Sequence, residues 1–122
     1  DTALAEVTWH LTRELEATGD FENITSYREL IAGFTSSFHD LRDIMDADVM
    51  VPDPLIAYPA GQALAKAIFQ DGGNGVIYPS LRHEGGQCLA AFRPRLIQNI
   101  RQGDTWELTW NGEAVPNIAR VQ

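Results

Sequence analysis

Apolar residues at the start of the chain recur at spacings of three and four. Leu4, Val7, Leu11 and Leu15 form one stripe, which predicts an amphipathic helix over Thr2–Thr18 with Gly19 as its stop. Asp20–Thr25 reads as a turn or loop. Ser26–Phe34 carries Tyr27, Leu30, Ile31 and Phe34 at spacings a helix would also accept, but Gly33 and the following Thr-Ser-Ser favour a strand or irregular structure. Phe38–Asp43 is a short run of mixed polarity. Pro52, Pro54 and Pro59 punctuate a loop-rich Asp46–Pro59. A second helix is expected over Ala60–Gln70, where Ala60, Leu64, Ala67 and Ile68 share a face and Asp71-Gly72-Gly73-Asn74-Gly75 comes next as an emphatic end. Val76–Tyr78 and Cys88–Phe92 then read as two strands joined by a polar, glycine-containing loop, Leu81–Gln87. Trp106, Leu108 and Trp110 alternate with Glu107 and Thr109, which is strand period. Asn111-Gly112 marks a hairpin turn, with Ala114–Val121 returning. This order predicts an α+β domain over residues 1–122, a mixed β-sheet core flanked by helices.

Composition narrows the class. The 122 residues, 44% of them hydrophobic, suffice for one compact core. The net charge of −8 comes with nine dispersed Lys and Arg, so no basic patch for nucleic acid is visible. An acidic surface suits a basic protein partner. It still permits a nucleotide ligand, because one or two arginines in a cleft hold a pyrophosphate. No apolar run approaches the length that spans a bilayer, and no signal-peptide pattern is visible. The lone Cys88 cannot build a disulfide framework and fits a reducing, cytoplasmic setting. In its apolar strand it reads as a buried, inert thiol.

Two stretches carry residues with chemistry. Ser80, Arg82, His83 and Gln87 crowd one end of the expected strand pair, and Gly85-Gly86 allows positive φ or a close approach to a ligand. A plain hairpin with a polar tip is the alternative. On the first helix, Glu6, His10 and Arg13 lie along a second face, and Glu6 sits near the helix start, where the dipole favours a carboxylate. The plain reading there is a solvated face with a Glu–His contact one turn apart. Glu6, His10 and Glu14 put three possible metal ligands on adjacent turns. Only His39 and His83 remain as histidines to complete a site, and the paired Glu-x-x-His pattern is missing, so no metal is expected. His39 reads as a capping or packing residue. The aromatic residues of the last strands suit either a partner surface or ordinary packing.

Tyr78–Pro94, YPSLRHEGGQCLAAFRP, resembles the C-terminal signature of the RES family, the toxins of RES–Xre toxin–antitoxin pairs. Thr2–His10, TALAEVTWH, resembles the same family's glutamate-bearing helix. That family is named for an arginine, a glutamate and a serine, and the last two match Glu6 and Ser80. The similarity covers nearly the whole chain, with a family strand over Ser26–Phe34, an HDLR-like run at His39–Arg42, and a family glutamine at Gln62. Family members usually carry several further strands upstream, with the arginine and a tyrosine that hold substrate. The resemblance thus implies that this chain corresponds to the C-terminal two-thirds or so of the family domain.

The resemblance, and no feature of spacing or composition, implies an ADP-ribosyltransferase-like fold. On the same ground, the activity is that of a toxin consuming NAD by cleaving its nicotinamide–ribose bond, as an ADP-ribosyltransferase or an NAD hydrolase or phosphorylase. By resemblance, Glu6 and Ser80 are the expected catalytic residues. Tyr78, Arg82, His10 and Gln62 are the expected NAD contacts, and no metal is needed. The partners it implies are a cognate Xre-like antitoxin and, where transfer is the reaction, a protein acceptor of ADP-ribose; neither nucleic acid nor membrane is expected. The alternatives are a non-catalytic protein-binding module, or a metal-dependent hydrolase using Glu6, His10 and a distant histidine.

Overall fold

A computed structural model describes residues 1–43 and 53–122. In chain order the elements are helix α1 (Thr2–Thr18), strands β1 (Glu22–Gly33) and β2 (His39–Asp40), helix α2 (Pro54–Gln70), strands β3 (Gly75–Pro79) and β4 (Gln87–Ala91), a 3-10 turn at Pro94–Leu96, and strands β5 (Gln98–Asn111) and β6 (Asn117–Val121). The fold is α+β, as the pattern predicted. Its strands form two three-stranded sheets, in the orders β1-β5-β6 and β2-β3-β4. The chain divides into two compact units: Asp1–Thr2 with Phe34–Gln98, and Ala3–Gly33 with Asn99–Gln122. Among the described residues, no helix is long and apolar enough to cross a membrane.

The unit of Ala3–Gly33 and Asn99–Gln122 is built on side chains. Leu15 from the α1 stripe joins Leu108 and Trp110 of β5 in a cluster, with Leu4, Leu11, Phe21, Tyr27 and Trp106 packed around it. Leu108 and Trp110 are 0% and 1% exposed. Burying side chains of this size stabilises by about 1.5–3 kcal/mol each. The strand-period alternation of Trp106, Leu108 and Trp110 therefore serves packing. β6 pairs antiparallel with β5, from Thr105↔Val121 to Thr109↔Asn117.

Two boundaries in this unit differ from the sequence pattern. β1 begins at Glu22, so the expected loop of Asp20–Thr25 shrinks to Asp20 and Phe21. The cause is local: Asp20 Oδ1 accepts the Glu22 amide at 2.9 Å, which turns the chain straight from helix into strand. Ser26–Phe34 is strand as far as Gly33. Asn111-Gly112 does not make a two-residue hairpin; residues 112–116 all lie between the strands. Gly112, at φ +85°, donates its N–H to the Phe21 carbonyl at 3.0 Å instead of closing across the hairpin.

The other unit is built on close backbone approach. β2 runs parallel to β3 (His39↔Val76, Asp40↔Ile77), and β3 pairs antiparallel with β4 from Gly75↔Ala91 to Pro79↔Gln87. Ile68 of α2, Val76 of β3 and Leu96 supply its buried apolar side chains. Gly75 has φ +151°, and a Cβ there would run into the Ala90 carbonyl, so only glycine lets β4 come this near. His39 is exposed in β2, with its ring lying beside Gly73.

Helix α2 starts at Pro54 rather than Ala60. Asp53 caps it, accepting the Leu55 amide at 3.0 Å, and Pro54 fits the first helical position because its missing N–H is not needed there. Pro59 removes the amide that would bond the Leu55 carbonyl. Leu55 is exposed, so water can take that carbonyl. Residues 46–52 of the expected loop, Pro52 among them, lie outside the described residues. At the other end, amides of Asp71, Gly72 and Gly73 return to the carbonyls of Ala67, Phe69 and Ile68 at 3.1, 3.0 and 2.8 Å. This gives the tight helix-to-strand connection the glycines predicted.

Candidate functional site

Strands β3 and β4 deliver a loop, Ser80–Gly86, that is wired by its own backbone. The Ser80 N–H donates to the Gly86 carbonyl, and the Gly86 N–H donates to the His83 carbonyl, each at 2.9 Å. Ser80 Oγ accepts the amides of Arg82 at 3.1 Å and His83 at 3.2 Å. A serine hydroxyl taking the second and third amides ahead of it is the arrangement that shapes a tight turn. Gly85 completes the reversal at φ +77°. Ser80, Arg82 and His83 are half-buried, and Gly86 is buried.

The His83 ring reaches out of this loop. Its Nδ1 is hydrogen-bonded to Thr2 Oγ1 at 2.8 Å. Gly86 lies under that bond: a Cβ at position 86 would strike Thr2 Oγ1 and come within 2.7 Å of His83 Nδ1. The glycine pair that read as permission for positive φ or close approach divides these tasks, Gly85 taking the first and Gly86 the second.

A charged pair stands by strand β2. Asp40 and Arg42 form a two-pronged ion pair, with Arg42 Nη2 on Asp40 Oδ2 at 2.6 Å and Nε on Oδ1 at 2.8 Å. Arg42 Nη1 lies 3.5 Å from Gln87 Oε1, at the start of β4. Hydrogen bonds from the Arg42 side chain and backbone hold the Asp40 carboxyl at about 2, below its ordinary value, and Asp40 in turn raises the guanidinium. Sequence reasoning passed over Arg42 as part of a run of mixed polarity. The available signal was the Asp-x-Arg spacing, because an aspartate carboxylate accepts the amide two residues on and so turns Arg42 back beside it, as Asp40 Oδ1 does with the Arg42 amide at 3.0 Å.

The remaining expected site residues occupy known positions. Tyr78, half-buried, pairs with Cys88 across β3–β4. Cys88 itself is half-buried rather than buried, since the strand ladder covers it only in part. Gln62 is exposed on α2. Glu6 is half-buried on α1, while His10 and Arg13 are exposed. The His10 ring meets Trp9 edge-on at 4.9 Å, and the Arg13 guanidinium lies over the same indole at 4.8 Å. Ser80, Arg82 and Tyr78 belong to the unit of Phe34–Gln98, and Glu6 and His10 to the unit of Ala3–Gly33. In that second unit burial, then the Glu14 charge, pushes the Tyr27 hydroxyl pKa up. Among the described residues, no group of three or more His, Cys, Asp or Glu is placed to hold a metal ion.

An α+β protein with a self-wired polar loop at the end of a small mixed sheet is the class these features define. A model of the RES domain matches residues 1–111, and the chain belongs to the RES domain family. That family is linked to NAD-acting toxins of toxin–antitoxin systems. Neither the curated proteins nor the solved structures contain a significant match.

Proposed function

We propose that the protein is the NAD-consuming toxin of a toxin–antitoxin pair and cleaves the bond between nicotinamide and ribose C1. Family membership, with the glutamate and serine of its motif present as Glu6 and Ser80, carries this reading. In the reaction the C1–N bond breaks and its electron pair passes to the pyridinium nitrogen, so nicotinamide leaves neutral and no acid is needed to protonate it. Positive charge grows on the ribose, and an acceptor then bonds C1: water, phosphate, or a protein nucleophile. A carboxylate suits that developing cation, as in glycoside hydrolysis, and Glu6 takes the role. The Ser80 loop is preorganised to orient the leaving group or ribose. Tyr78 offers a stacking face, Arg82 a partner for phosphate, and His10 and Gln62 further contacts to NAD. The protein works in the cytoplasm, and a cognate Xre-like antitoxin silences it.

The test is NAD turnover by the full-length protein freed of any antitoxin, with products resolved by mass. Nicotinamide release is expected, and the companion product names the acceptor. Glu6→Ala is expected to lower kcat by at least about a hundredfold with the fold intact. Equal turnover by mutant and wild type would remove Glu6 from the mechanism. No release by folded wild type would leave a non-catalytic binding module as the better account.

A further inference from the structure

His83 is the hub of the Ser80 loop. Its N–H is held by Ser80 Oγ, its carbonyl accepts the Gly86 amide, and its ring nitrogen bonds Thr2 Oγ1. The first two bonds lie within the loop and fix its shape. The third joins that shape to a residue 81 positions earlier in the chain. Without the ring bond, the loop loses this anchor outside itself, and its internal bonds from the amides of Arg82, His83 and Gly86 open more often. With it, Ser80 and Arg82 are fixed against Thr2. The absence of a side chain at Gly86 is part of the same device, because a Cβ would occupy the space in which Thr2 Oγ1 and His83 Nδ1 meet.

We infer that His83 is a positioning residue. Acting through Thr2, it sets the orientation in which the loop presents Ser80 and Arg82, without touching the substrate itself. The effect on activity rests on the NAD reading; the tether itself does not. A hydroxyl both donates and accepts, so the bond is available to either tautomer of the imidazole.

The experiment compares wild type with His83→Phe, His83→Asn, Thr2→Val and the Thr2→Val/His83→Phe double variant, all in the full-length protein. Two quantities are read: hydrogen exchange at the amides of Arg82, His83 and Gly86, and kcat and KM for nicotinamide release from NAD. His83→Phe and Thr2→Val are each expected to speed exchange at those amides by about tenfold, the scale of one lost hydrogen bond. Both should lower kcat/KM to a similar degree, and the double variant should be no worse than either single one. His83→Asn keeps a polar atom near the position of Nδ1 and should recover most of both quantities. Thr2→Val and His83→Asn leave the imidazole-sized packing or the polar partner in place, so they decide the matter even if His83→Phe misfolds. The proposal is overturned if Thr2→Val is silent while His83 variants lose activity, or if exchange at the three amides does not change. Failure of the NAD reading looks different: wild type itself releases no nicotinamide, while exchange still reports the tether.

Discussion

The two units hold themselves together by different means. In the unit of Ala3–Gly33 and Asn99–Gln122, large side chains exclude water: Leu15, Leu108 and Trp110 form a dry cluster with a ring of half-buried partners. In the unit of Phe34–Gln98, the buried apolar side chains among the described residues, Ile68, Val76 and Leu96, are medium-sized, and backbone groups brought close by glycine add to the order. The unit with the greasy centre can absorb changes on its surface. The unit with the loop cannot absorb a single added methyl at its contact points. A loop that must present polar groups at fixed positions is better served by the second method, because hydrogen bonds fix direction and apolar contacts do not.

The largest test of this contrast is at Trp110. Trp110→Ala is expected to cost about 3–5 kcal/mol in denaturant titrations. Trp110→Phe should cost much less. It keeps most of the packing and removes an indole N–H that is buried with no partner among the described residues. Equal losses from the two substitutions would mean the cluster does not hold its unit together by packing.

Gly75→Ala should come next, at about 2–4 kcal/mol, from a backbone strained at positive φ and a methyl driven into the Ala90 carbonyl. The protection lost in hydrogen exchange should centre on β3 and β4. A neutral substitution there would break the claim that backbone approach orders this unit. Ser80→Ala should cost only about 1 kcal/mol, read as faster exchange at the amides of Arg82 and His83 with the global midpoint nearly unmoved. Ser80→Asn, whose carbonyl can accept the same amides, should restore the protection.

The smallest effect concerns Asp40. Its folded-state pKa lies below its unfolded value, so the pair with Arg42 contributes fully above the usual carboxylate range and is lost as pH falls through about 2. The stability difference between wild type and Asp40→Asn should therefore shrink between about pH 5 and pH 2. Because the pair is exposed, added salt should shrink it as well. A difference that grows on acidification would reverse the assignment.

Local rules carried much of the fold. The stripe Leu4, Val7, Leu11 and Leu15 made α1 legible to its last residue, and Gly19 at φ +71° ends it. The strand-period run at Trp106–Trp110 was equally plain. Proline misled at α2: three prolines in a short span read as loop, while Asp53 and Pro54 in fact supply a cap and a first turn. The glycines of the Ser80 loop announced a tight turn. Its wiring was not legible, because the Thr2–His83 bond joins residues 81 positions apart and leaves no periodic trace. The Arg42–Gln87 contact left no trace for the same reason, although the Asp40–Arg42 pair itself is local.

The arrangement of aromatic residues has a spectroscopic consequence. All three tryptophans, Trp9, Trp106 and Trp110, belong to the unit of Ala3–Gly33 and Asn99–Gln122, and none to the unit that carries Ser80. Intrinsic tryptophan emission therefore watches one half of the chain directly. A fluorescence melt would record the loss of the Trp110 environment and pass over an earlier loosening around β3 and β4. A single tryptophan placed at Phe92 or Phe69, whose rings meet at 6.3 Å beside the α2–β3 packing, would give the silent half a signal of its own.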